Sequence, residues 1–139
     1  MSRSIVVSSC VALLAVAALL GLAHVAQADD DVFGAVRVAA NRGRFVGRCP
    51  VDIIFTGNIN LNMPHPRGLT FNYYWMRSDG AKGPVTVVHP GPAEKLLIVR
   101  EPWHLGAAGH HYDASVTLFV NSGNTHLEQA SSAVSVTCN

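Results

Sequence analysis

The sequence predicts an all-β fold, an antiparallel two-sheet sandwich of about seven strands placed behind a cleaved export signal. Two observations carry the fold class. Short runs of β-branched and aromatic residues recur from Val32 to Cys138, separated by clusters of Gly, Pro, Asn and Asp. Across the same stretch no segment keeps apolar residues at helical spacing. A third observation concerns the N-terminus. Arg3 precedes an apolar stretch, Val11 to Leu22, that is short and Ala-rich for a membrane span, and Ala26-Gln27-Ala28 follows with small residues where a signal peptidase cuts.

Cleavage after Ala28 divides the chain into a signal peptide, 1–28, and one domain, 29–139, opening on Asp29-Asp30-Asp31. A retained anchor helix would need a longer run and a charged stop beyond it. A lipid-attachment box is loosely mimicked by Val7-Ser8-Ser9-Cys10, but there the apolar stretch follows the cysteine instead of preceding it. The expected location is therefore secreted or periplasmic, with no stable membrane span after cleavage. Ten Lys and Arg face nine Asp and Glu, and removing Arg3 leaves nine of each sign. A near-neutral domain lacks the concentrated positive field that nucleic acid or an anionic membrane requires, so neither is an expected partner. Cys10 leaves with the leader, so Cys49 and Cys138 remain in a disulfide-permissive compartment. A bond between them is the natural expectation, and two free buried thiols are the alternative.

The strands follow in order. Val32 to Ala39 alternates roughly and forms the first, and Asn41-Arg42-Gly43-Arg44 is a turn. In the second, Cys49, Val51, Ile53 and Phe55 share a face that resumes at Ile59 and Leu61, with Gly57 as a bulge or bend. Met63-Pro64-His65-Pro66-Arg67-Gly68 is a loop by its prolines. Leu69, Phe71, Tyr73 and Trp75 then alternate with Thr70, Asn72, Tyr74 and Met76, one set facing a core. Turn signals from Ser78 to Pro84 lead to a short strand, Val85–Val88, and Glu94–Arg100 supplies another. Pro102-Trp103-His104 lies in a connection, where its tryptophan either plugs the open end of the core or offers a contact. His111–Asn121 has Tyr112, Ala114, Val116, Leu118 and Val120 on its inner face, and Ala130–Cys138 closes the domain.

A cysteine opening the second strand, a tryptophan on the third and a tyrosine entering the sixth fall where an immunoglobulin-like order places them. Cys49-Pro50-Val51 with Phe55-Thr56-Gly57, the segment Tyr74-Trp75-Met76-Arg77-Ser78-Asp79-Gly80, and Val134-Ser135-Val136-Thr137-Cys138 resemble the small immunoglobulin-like domains of secreted bacterial proteins. The resemblance covers nearly all of residues 29–139 and implies a scaffold that hosts many functions. Tyr112-Asp113-Ala114 stands where antibody domains have Tyr-x-Cys, so their usual cystine is absent. In the implied strand order the second strand begins, and the last ends, at the same end of the sandwich, which suits a Cys49–Cys138 pair.

Chemistry-bearing constellations are sparse. Six histidines remain after the leader, at 65, 89, 104, 110, 111 and 126, without the spacing of a helical metal motif or a neighbouring Cys-x-x-Cys. Loops at one sandwich end would bring His104, His110 and His111 together as a metal site, with Asp113 or His89 as a further ligand. Gly-x-Ser-x-Gly and a phosphate loop are both missing, and the carboxylates are scattered, so no enzyme activity and no cofactor are expected. Arg42, Arg44 and Arg48 make a local basic patch beside the first turn.

Strand parity supplies the leading surface. With Trp75 and Tyr112 inward, Asn72, Tyr74 and Met76 of one strand and Ser115, Thr117 and Phe119 of another point outward from one sheet. Exposed Tyr, Met and Phe together make a protein-binding face unless another part of the chain covers them. The expectation is a non-enzymatic binding or structural module whose partner is a protein or cell-envelope component. The alternatives are a periplasmic metal-binding protein using loop histidines, and an inhibitor or accessory subunit of an envelope enzyme.

Overall fold

The computed structural model describes residues 32–65, 67–123 and 127–139. The expected leader, 1–28, the acidic segment 29–31 and His126 lie outside the described residues.

Among the described residues eight strands run in the order β1 (Phe33–Ala40), β2 (Arg44–Gly47), β3 (Val51–Leu61), β4 (Phe71–Arg77), β5 (Thr86–Val88), β6 (Leu96–Leu105), β7 (His111–Asn121) and β8 (Leu127–Cys138). They form a three-stranded sheet, β1-β3-β6, and a five-stranded sheet, β2-β8-β7-β4-β5. All pairings are antiparallel except β2 with β8. The alternation read from the sequence places the core. Ile53, Phe55 and Ile59 of β3 are fully buried against Phe71 and Trp75 of β4, Val116, Leu118 and Val120 of β7, and Val134 and Val136 of β8. Burying each such side chain stabilises the fold by about 1.5–3 kcal/mol.

Four details depart from the sequence expectations. The arginine-rich segment after the first strand is not all turn. Asn41 closes the β1–β3 ladder, its N–H donating to Ile54 O and its Oδ1 accepting from Ile54 N–H. The chain then crosses to the other sheet, where Arg44–Gly47 lies parallel to Ser135–Cys138 with Phe45 opposite Val136. The last strand begins at Leu127 and not at Ala130.

Gly57 is no bulge, because it continues the ladder between Val38 and Val99. A methyl there would stand 2.6 Å from Leu118 Cδ2, 2.9 Å from Val99 Cγ2 and 3.1 Å from Trp75 Cη2. Gly57 therefore marks the place where core side chains of both sheets press against the β3 backbone.

The fourth departure is β6, which runs through Pro102 to Leu105 opposite Ile54 to Val51. Proline is tolerated where the missing N–H falls on an unpaired side. Here the bond from Leu61 N–H to Lys95 O fixes the ladder phase, so odd-numbered residues of β6 bond to β3 and residue 102 faces away. Trp103 is consequently a core residue, 7% exposed. Arg77 of β4 spans the sheets beside it, donating from Nε and Nη2 to Glu101 Oε1 and from Nη2 to Pro102 O, with its guanidinium 5.1 Å from the Trp103 ring centroid.

At the end of the sandwich where β3 starts and β8 stops, Cys49 and Cys138 form the disulfide, Cα atoms 5.3 Å apart and 89 residues apart in sequence. Gly106 turns beneath it at φ 99°, and a Cβ there would meet both sulfurs. The Tyr112 hydroxyl accepts a hydrogen bond from Ala107 N–H, tying the β6–β7 corner to the start of β7. Among the described residues no helix is long and apolar enough to cross a membrane.

Candidate functional site

β4 and β7 lie side by side in the middle of the five-stranded sheet, and their register decides which side chains share its outer face. Trp75 opposes Leu118 inward, so Tyr74 opposes Phe119 and Met76 opposes Thr117 outward. Asn72 opposes Asn121 on the same face, and Val87 of β5 lies beyond Asn72. The sequence-predicted residues Asn72, Tyr74, Met76, Thr117 and Phe119 are thus one contiguous surface. Ser115 lies four residues along β7 from Phe119, about 13 Å away at strand rise. Its N–H donates to Ser78 Oγ, and it borders a separate shallow hollow with Gly43, Asp113, Ala133 and Ser135.

The centre of the surface is an aromatic pair. Tyr74 and Phe119 stack at 4.9 Å between centroids with 11° between planes. Lys82, brought back by a bridge to Met76, places Nζ 4.2 Å from the Tyr74 centroid. These contacts engage ring π-surfaces within the chain and leave both aromatics half-buried. Around them stand exposed apolar side chains, Met76 at 37%, Val87 at 58% and Leu127 at 56%. The frame is neutral and polar, with Thr117 Oγ1 bonded to Ser131 Oγ at 2.8 Å and Gln129 opposite Phe119. A half-buried aromatic centre within an apolar and hydroxyl-rich rim has the composition of a protein contact surface.

Val87 and Leu127 join this surface beyond the residues that strand parity places there. The signal for Val87 was present in the alternation of Thr86-Val87-Val88, but a three-residue strand does not reveal which sheet face it joins. Leu127 required knowing that β8 starts three residues early.

The histidines are distributed between faces. His104 points out of the three-stranded sheet and pairs with Asp52, opposite it on β3, Nδ1 to Oδ1 at 2.7 Å. His111 points out of the five-stranded sheet, with Nδ1 2.9 Å from Thr137 Oγ1 and Nε2 3.2 Å from Asp113 Oδ1. The His110 ring lies 6.1 Å from that of Tyr112. Among the described residues no three His, Cys, Asp or Glu side chains gather closely enough to share a metal ion. Arg42 lies over the Phe45 ring at 5.5 Å, and Arg44 extends outward from β2, so two of the three patch arginines are bound up with that edge strand. The Pro102-Trp103-His104 candidate is divided, since Trp103 faces the core and His104 faces solvent.

No protein-family model matches this chain, and no curated protein matches it in sequence. Among solved structures, the CARDB domain of the PF1109 protein from Pyrococcus furiosus, determined in complex with di-metal ions, is similar with a TM-score of 0.55 at 14% identity. The match covers 75% of this chain and 92% of that one. Together with the strand order, this likeness shows the fold: the chain is an immunoglobulin-like β-sandwich.

Proposed function

We propose that this chain is an exported, non-enzymatic binding or structural module that docks a partner protein on the outer face of its five-stranded sheet. The observation that carries the proposal is the stacked Tyr74–Phe119 pair ringed by exposed Met76, Val87 and Leu127. An outer sheet face ordinarily carries polar side chains, and this apolar group spans four neighbouring strands, β5, β4, β7 and β8. The partner is a component of the cell envelope or of the exterior, and an inhibitor or accessory-subunit role for an envelope enzyme uses the same face.

The test is affinity capture from the exported fraction with Met76→Asp and Val87→Asp, compared with Ile54→Asp on the opposite sheet. Both substituted side chains of the first pair are exposed, so the unfolding free energy should stay within about 0.5 kcal/mol of the parent, as expected for surface changes. Loss of the captured protein on Met76→Asp and Val87→Asp, with retention on Ile54→Asp, supports the proposal. Equal capture by all three overturns it.

A second reading, metal binding, has one observation in its favour. His111 and Asp113 share an outer strand face with ring nitrogen and carboxylate 3.2 Å apart. The similar CARDB domain was determined with di-metal ions. This reading expects stoichiometric Zn²⁺ that is lost in His111→Ala and in Asp113→Ala and kept in His104→Ala, whose ring lies on the opposite sheet. No binding at micromolar metal sinks it.

A further inference from the structure

We propose that the unpaired edge of β6 between Leu96 and Arg100 takes an extended, acidic segment of a partner protein as a fourth strand of the three-stranded sheet. The site is distinct from the Tyr74–Phe119 face.

Among the described residues β6 is the last strand of its sheet and pairs only with β3, from Leu105 opposite Val51 to Leu96 opposite Asn60. The ladder phase set by Leu61 N–H and Lys95 O turns the N–H and C=O groups of even-numbered β6 residues away from β3. Further along, this edge is closed. Residue 102 is proline and has no N–H, and its carbonyl is taken by Arg77 Nη2 at 3.0 Å. Among the described residues Leu96, Ile98 and Arg100 keep open donors and acceptors at the two-residue spacing that an added strand reads.

A groove of about 520 Å³ runs beside this stretch and not beside the closed one. It is walled by Tyr73, Thr86 and Val88 of the opposite sheet and by Leu97 and Val99 beneath. β5, on the far wall, is itself an edge strand, so the sandwich gapes there. A strand added to β6 would direct every second side chain into this apolar groove, and the intervening ones would stand beside Ile98 and Arg100 on the outer face.

Charge selects the occupant. Lys95 and Arg100 are exposed and have no ion-pair partner among the described residues. The nearby carboxylates are engaged, Glu101 by Arg77 and Glu94 by Gly91 N–H at 3.1 Å. By strand parity Arg100 stands on the outer face with Ile98, whereas Lys95 shares the groove side with Leu97 and Val99. An incoming strand therefore meets Arg100 at its outward positions and Lys95 where the groove begins, which favours Asp or Glu at both places. A second copy of this chain would bring the same two cations to the edge.

The experiment is selection of a random decapeptide display library on the folded protein, followed by hydrogen exchange with the winning peptide. Enriched sequences should alternate apolar residues with Asp or Glu. The bound peptide should slow exchange at the Ile98 and Arg100 amides and leave those of Leu97 and Val99, already bonded to β3, unchanged. Ile98→Pro removes one edge donor without touching the β3 ladder and should weaken binding at least tenfold. Arg100→Glu, which leaves the backbone intact, should do the same for acidic winners and turn the selection toward basic peptides. Absence of enrichment, winners lacking acidic residues, binding insensitive to both variants, or Ile98 and Arg100 amides already protected in a dimer of the protein alone would each overturn the proposal.

Discussion

Substituting Gly57 by alanine probes the tightest point of the sandwich. The added methyl would lie 2.6 Å from Leu118 Cδ2 and 2.9 Å from Val99 Cγ2, far inside carbon–carbon contact, with Trp75 Cη2 at 3.1 Å. Leu118 is fully buried and Val99 nearly so, so neither side chain has open space into which to turn. Relief must come from off-rotamer side chains or from separation of the sheets, which costs about 1–3 kcal/mol in a packed core. The assay is urea unfolding followed by fluorescence of Trp75 and Trp103, both core residues. With a urea slope of about 1–3 kcal/mol per molar, the midpoint should fall by about 1 M. Leu118→Val withdraws the offending Cδ2 region, so Gly57→Ala with Leu118→Val should be less destabilised than the sum of the single changes by about 1 kcal/mol. A Gly57→Ala protein within about 0.5 kcal/mol of the parent, or strict additivity in the cycle, would refute the packing argument.

Two further outcomes follow from the same framework. Replacing Cys49 and Cys138 together by alanine opens a loop with a sequence separation of 89 residues. The chain-entropy relation then predicts a loss of about 4–5 kcal/mol, readable as a urea midpoint lower in the variant than in the oxidised parent. Arg77→Met keeps most of the side-chain stem but leaves the half-buried Glu101 carboxylate and the Pro102 carbonyl without their donor. It should cost about 1–3 kcal/mol, the scale of hydrogen bonds to charged groups, and Glu101→Gln should cost less. If Arg77→Met were neutral, Arg77 would not be a clasp between the sheets.

The extent to which the fold could be read from the sequence depends on whether a residue's neighbours are local. β3, β4 and β7 bury one face and expose the other, so Ile53, Phe71, Trp75 and Leu118 announce their side by alternation alone. The same parity brought Tyr74 and Phe119 to one outer face, because both strands are long and regular. β2 has no such signal: the four residues Arg44–Gly47 become a strand only because β8 supplies a parallel partner. The continuation of β6 through Pro102 was hidden for a related reason. Proline ends a central strand but not an edge strand, and edge position is a property of the whole sheet. Gly57 looked like a bulge because the crowding that demands it comes from Leu118, Val99 and Trp75, all remote in sequence. The His104–Asp52 pair likewise depends on cross-strand register between residues 52 positions apart.

The central claim is that the outer face around Tyr74 and Phe119 is a docking surface, and site-resolved photo-crosslinking in the producing cell tests it most directly. A photoreactive phenylalanine placed at Met76 or Val87 should yield one discrete adduct with a partner protein, while the same residue at Ile54 on the opposite sheet should yield none. Adducts that are absent from Met76 and Val87, or equally strong from Ile54, would contradict the account.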